Sequence, residues 1–321
     1  MNENILPWQV SQWGSLQQRR AQHKLPHALL FTGVEGVGKY GFAKHFAHSL
    51  LCSQNLCGIC KNCQLFNAGH HPDLMIISPE ENDKAIKVDA IRGIVKFVNH
   101  SAHLSAYKIV IINPADKMNL NAANALLKTL EEPNEKIILI LITSRMMSLP
   151  ATIRSRCQII SFTTPKREIA LQWLQTQDIA KDSAELLLEF AHGAPLKVID
   201  FVEEDLLGFR KEIFGEFHEL LQGKIALATI SQAWQKLDVL QILFHLTSWT
   251  MDLIRINNLG QASLTNFDFA PQLKNIAKKY DNKYLYKLYD DLTSTQNLLH
   301  GPCNLNPQLM FEGLLTDWVS P

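Results

Sequence analysis

At 321 residues, with 46% hydrophobic and 19% charged residues, the chain is a globular mixture long enough for two or three domains, which excludes a disordered or low-complexity protein. Its formal net charge is zero, yet residues 1–162 hold 17 Lys/Arg against 11 Asp/Glu and residues 163–321 hold 14 against 20. A basic front half is compatible with phosphate or nucleic-acid contact and an acidic back half is a poor DNA surface, although two solvated surfaces of unlike composition would look the same.

Residues 1–14 lack a basic start followed by an apolar core. The longest clean apolar run, Ile137–Ile142, is far too short to span a bilayer, so the expectation is a soluble cytoplasmic protein without a membrane segment. In the first half, the apolar runs His27–Thr32, Leu74–Ile77, Lys108–Ile112, Ile137–Ile142 and Gln158–Phe162 lack alternation and suit strands buried on both faces. Helical patterns at Tyr40–Leu51, Val88–Asn99 and Asn119–Glu132 lie between them, which predicts an α/β domain with a parallel sheet. Pro133 stops the last of these helices. After Phe162, Thr163-Thr164-Pro165 breaks the pattern and no further strand is predicted. Residues 163–206 read as a small helical domain and 207–321 as a helical bundle. In the bundle, Val239, Leu240, Ile242, Leu243, Leu246, Trp249, Leu253 and Ile254 form an apolar face at helical spacing.

Between the first predicted strand and helix stands Gly33-Val34-Glu35-Gly36-Val37-Gly38-Lys39-Tyr40, the context of a phosphate-binding loop. Backbone N–H groups and the helix N-terminus can face phosphates there, and Lys39 can meet the outer ones. The pattern ends in Ser or Thr because a hydroxyl holds magnesium, and Tyr40 occupies that position. Cys52, Cys57, Cys60 and Cys63 follow the loop helix as C-x4-C-x2-C-x2-C. Four soft ligands from one short loop point to a structural zinc ion, with no position left for a catalytic water. Disulfides and a redox C-x-x-C pair compete with that reading, and His70 or His71 could replace one thiolate or simply form the loop before Pro72. Cys157 and Cys303 stand alone and read as small packing residues.

Several segments resemble the clamp-loader branch of the AAA+ ATPase fold, and within it the delta-prime family of bacterial DNA polymerase III. They are Pro26-His27-Ala28-Leu29-Leu30-Phe31, the four-cysteine insertion, Asn124-Ala125-Leu126-Leu127-Lys128-Thr129-Leu130-Glu131-Glu132-Pro133, and Leu149-Pro150-Ala151-Thr152-Ile153 running into Ser155-Arg156-Cys157. The resemblance implies an ATPase-type domain (1–162) with a zinc module (52–63), a lid domain (163–206) and an oligomerising collar (207–321). It also implies work beside gamma/tau and delta subunits to set a sliding clamp on primed DNA.

Active members carry Asp then Glu where Asn113 and Pro114 stand. The resemblance therefore implies a chain without intrinsic ATPase inside a polymerase holoenzyme, leaving nucleotide binding through Gly33, Gly38 and Lys39 open. An active gamma/tau-like subunit is the alternative. In the family, the Ser-Arg-Cys arginine, here Arg156, reaches a neighbour's ATP site, although spacing alone would make it a solvated side chain. The family also puts a γ-phosphate-sensing residue at Thr143. The lid's usual Gly-Ser-x-Arg reads Gly193-Ala194-Pro195-Leu196, without its arginine. Asp116, three positions beyond Asn113, reads as a turn or helix-start carboxylate. Arg92 and Lys96, one turn apart, are candidates for a DNA-facing surface or for an ordinary solvated helix face. The cysteine loop itself carries only Lys61, which argues against DNA contact there.

Overall fold

The computed structural model describes all residues except 1–4, 55, 80–84, 100, 135, 260–263, 300–304 and 320–321. Cys303 lies outside the described residues. The chain forms two compact units, residues 1–184 with 191–198 and residues 185–190 with 199–321.

The first unit is built on five parallel strands, β1 (Ala28–Thr32), β2 (Leu74–Ile77), β3 (Lys108–Ile112), β4 (Ile137–Thr143) and β5 (Gln158–Ser161), in the order β2-β3-β4-β1-β5. The three central strands are buried along their whole length, as their unbroken apolar runs require. β2, a sheet edge with no fully buried residue, departs from that expectation, and so does β5. It pairs only with β1, and three of its four residues are exposed, because it is a sheet edge.

Helices α1 (Val10–Ala21), α2 (Lys39–Leu51), α3 (Lys61–Asn67), α4 (Val88–Asn99), α5 (Leu120–Glu131), α6 (Ala151–Arg154) and α7 (Arg167–Gln175) belong to this unit. α4 and α5 supply Ile91, Ile94, Val98, Ala122, Leu126 and Leu130 to one core, with Leu30, Val110, Ile112 and Leu139 from the sheet. Elsewhere in the unit Phe31, Phe42 and Phe162 pack ring against ring. Asn119 starts α5 by accepting the Ala122 N–H at 2.8 Å, and Pro133 follows its end. Cys157 is buried in the α4–α5 core, where burial pushes its thiol up to about 12, as suits a packing residue.

The partition between units falls within α8 (Lys181–Phe190) and α9 (Pro195–Glu203). The second unit continues with α10 (Leu206–Leu221), α11 (Leu227–Trp234), α12 (Val239–Leu259), α13 (Ala270–Ala277), α14 (Asn282–Leu299) and α15 (Pro307–Val319). Trp234, Trp249, Trp318, Phe217 and Phe311 anchor its core. The apolar face expected on α12 is buried except at Val239, which is half-buried, and Leu240, which is 42% exposed. At the roughly 100° per residue of a helix, Leu240 points about 150° away from the line of Ile242, Leu246, Trp249 and Leu253, toward the opposite side. Arg210 is buried under Phe269 and paired with Asp268 at 2.5 and 2.8 Å. Burial and then Arg210 push the neighbouring His245 down to about 3, which keeps that imidazole neutral. Among the described residues no helix is long and apolar enough to cross a membrane.

Candidate functional site

The phosphate-loop candidate lies where it was expected, between β1 and α2 and at the carboxyl end of the sheet. Gly33, Gly36 and Gly38 have φ of +143°, +80° and +87°, values that side chains resist, so the turn depends on glycine. The surroundings of the turn are crowded. A Cβ on Gly36 would stand 2.7 Å from Lys197 Cβ, and one on Gly38 would stand 2.6 Å from Leu6 and 3.1 Å from Leu196.

Polar contacts tie the same elements to the loop. Leu196 N–H donates to Gly36 O at 3.0 Å. Gln9 Nε2 donates to Val37 O and Gly38 O at 2.9 and 3.1 Å, and Trp8 Nε1 donates to Val37 O at 3.0 Å. Trp8 in turn meets Trp173 of α7 edge to face, with ring centroids 5.3 Å apart. The segment 6–9 and the start of α9 therefore close over the loop.

Lys39 is 7% exposed and donates to Gly33 O and Val34 O, both at 2.7 Å. Burial lowers it to about 8, against the opposing pull of the Glu35 and Asp116 carboxylates. Thr143 is fully buried at the end of β4; its hydroxyl donates to Asp116 Oδ1 at 2.6 Å and accepts the Arg145 N–H at 2.9 Å. That proton is thus committed to Asp116. Asp116 does stand in the first turn of a short 3-10 helix, Ala115–Lys117, as read from the sequence; the Thr143 contact is additional, with a residue 27 positions away that nothing local signals. Tyr40, where a metal-holding hydroxyl would stand, is 39% exposed. The peptide between Asn113 and Pro114, beyond β3, is cis.

The four cysteines converge. Their sulfurs all lie within 4.8 Å of one another, with separations of 3.8 Å for Cys52–Cys57 and 3.9 Å for Cys52–Cys60 and Cys57–Cys63. Four sulfurs about 2.3 Å from one ion at the corners of a tetrahedron stand about 3.8 Å apart, so the residues fit such an ion. All four are free thiols. Cys52 ends α2 and Cys60 caps α3, accepting the Cys63 N–H. Burial alone would raise the Cys52 thiol, but the Cys57 and Gln54 N–H groups and the neighbouring thiols outweigh it and hold it near 6. Neither His70 nor His71 joins the cluster, which the four cysteines make up among the described residues; His71 Nδ1 instead accepts the Asp73 N–H at 3.1 Å.

Arg156 follows α6 near the surface. Its Nη2 pairs with Glu131 Oε1 at 2.6 Å, and its Nη1 donates to Thr152 O at 2.9 Å. Arg92 and Lys96 stand apart from these sites on the exposed side of α4, with Arg92 paired to Asp89 at 2.9 Å.

Fold and site define a P-loop-type α/β protein, a parallel sheet that carries the glycine loop, with a four-thiol cradle at the far end of the loop helix. Residues 8–166 match the family described as DNA polymerase III, delta subunit, and residues 204–320 match the family of its C-terminal part. A Pseudomonas aeruginosa protein named DNA polymerase III subunit delta' is 34% identical over 99% of this chain and 98% of its own length. The Escherichia coli subunit delta' is 29% identical, with 90% and 87% covered. A Thermotoga maritima structure titled a DNA polymerase III gamma subunit-related protein aligns at a TM-score of 0.44 and 20% identity, covering 95% of this chain and 98% of that one. The chain belongs to the DNA polymerase III subunit delta' family.

Proposed function

We propose that this chain is a subunit of a DNA polymerase III clamp loader that hydrolyses no ATP itself and lends Arg156 to the ATP site of a neighbouring motor subunit. Its partners are then the gamma/tau and delta subunits, with the sliding clamp and primed DNA engaged through the assembly. The 163–206 stretch serves as the lid and 207–321 as the collar.

The observation that carries the first half of this reading is the state of the loop. Lys39 is engaged by the loop's own carbonyls, Gly36 and Gly38 are covered, and the Thr143 hydroxyl already donates its hydrogen bond to Asp116. No carboxylate stands at Asn113 or Pro114 to hold magnesium or orient water. The second half rests on Arg156, which keeps one face open at the surface while two contacts fix its position. A guanidinium held there can stabilise charge on a transferring phosphoryl group. Zinc is the ion proposed for the four thiols, where it fixes the 52–63 module without taking part in chemistry. Arg92 and Lys96 are proposed as minor phosphate contacts of the assembled ring.

The test is a reconstituted loader containing Arg156→Ala, with every ATP site silenced except the one adjoining this chain. Turnover stimulated by clamp and DNA is expected to fall about 10³-fold. Unchanged turnover rejects the trans role, and robust magnesium-dependent ATPase by the isolated chain would establish the active-motor alternative instead.

A further inference from the structure

Glu131 is the last residue of α5, and a carboxylate there faces the negative pole of the helix dipole. Helix logic alone favours a cation at that position, as Lys128 supplies one turn earlier. The carboxylate has a partner in Arg156, whose Nη2 lies 2.6 Å from Glu131 Oε1. The same guanidinium donates from Nη1 to Thr152 O at 2.9 Å, so two elements distant in sequence, the end of α5 and the start of α6, hold one planar group from two sides. A guanidinium has five N–H donors in a fixed fork. The two contacts use two of them and leave three for an incoming oxyanion. Both side chains are only part-exposed, 36% for Arg156 and 49% for Glu131, so the pair sits at the surface with its open donors within reach of another subunit.

We infer that Glu131 is the positioning residue for Arg156: its carboxylate, with the Thr152 carbonyl, fixes the guanidinium before a neighbour's triphosphate arrives. This rests on the trans role of Arg156 proposed above. Glu131 neutralises part of the charge of the arginine but leaves its orientation determined, and arginine loses less freedom on binding when its fork is already set.

The test uses the same reconstituted loader, with only the adjoining ATP site active. Glu131→Ala is expected to lower kcat about threefold to fivefold, the range an exposed ion pair can supply, with KM for ATP unchanged. Glu131→Gln, whose amide oxygen still accepts the bond, should restore most of that rate. In an Arg156→Ala background, Glu131→Ala should cause no further loss. Thermal midpoints of the isolated variants, expected to match the parent chain, separate this effect from misfolding. If Arg156→Ala is damaging but Glu131→Ala is silent, or if Glu131→Ala still lowers kcat without Arg156, the positioning role is overturned and the trans arginine stands. If Arg156→Ala itself leaves kcat intact, both readings are overturned.

Discussion

Asp73 lies just before β2 with no exposed surface, and its carboxylate gathers the loop ahead of β3. Oδ1 accepts the His103 N–H at 2.7 Å; Oδ2 accepts the Leu104 N–H at 2.8 Å, the Ser105 N–H at 3.0 Å and the Ser105 hydroxyl at 2.9 Å. Replacing it by Asn forces a choice. The better amide orientation leaves the oxygen with three donors and turns the NH2 toward the His103 N–H, so one charge-assisted bond becomes a clash of donors and the other three lose their charge. The expected cost is about 2–4 kcal/mol. Urea unfolding of the two proteins measures it, and amide exchange at residues 103–105 should quicken in the variant.

The sign of the pH dependence follows from the same contacts. Burial works to raise the Asp73 carboxyl, but the His103, Leu104 and Ser105 donors outweigh it and hold it below its ordinary range. Its contribution is therefore complete above the unfolded value, about pH 4, and is lost as pH falls through the lower folded value. The gap between parent and variant should stay level at neutral pH and narrow in acid. A neutral-pH gap under about 0.5 kcal/mol, or one that widens on acidification, would refute this account.

Gly36→Ala should destabilise the first unit by about 2–4 kcal/mol, combining a left-handed backbone with overpacking against Lys197. Chemical unfolding reads the loss, and Gly69→Ala, at φ +74° in open space, should lose only about 1–2 kcal/mol from the backbone. Equal losses would remove the packing argument. The purified chain should carry one zinc ion by native mass measurement, and Cys57→Ser or a strong chelator should abolish stoichiometric metal and lower the thermal midpoint. A chelator-treated chain with an unchanged melt would contradict a structural role.

The central strands and the cysteine cradle were legible in the sequence because both are local. Five-residue and seven-residue apolar runs have no solvated face to alternate with, and C-x4-C-x2-C-x2-C brings thiols together through chain geometry alone. The edge position of β5 was hidden, since Gln158-Ile159-Ile160 is as apolar as a partly buried edge allows and pairing order is not a local property. Leu240 was misassigned although its spacing already turns it away from Ile242, Leu246, Trp249 and Leu253. The closure over the phosphate loop was least legible. Trp8 and Gln9 reach Val37 across about 28 intervening positions, and Leu196 reaches Gly36 from the far side of the sheet's sequence. No periodicity announces such contacts. Asp116 and Glu131 escaped as the contacts of Thr143 and Arg156 in the same way, each being recognisable only from the side chain it meets.

One helix, α2, begins at the glycine turn and ends at Cys52, so its 13 residues form a strut about 20 Å long with the two sites at opposite tips. Its carbonyl pole lies beside Cys52, where the helix dipole opposes negative charge and a dication among the four thiolates would offset it, as the local N–H donors do in part. Stripping the ion would then unravel the strut from its distal tip. The turn at the proximal tip, anchored by separate parts of the chain, would keep its shape.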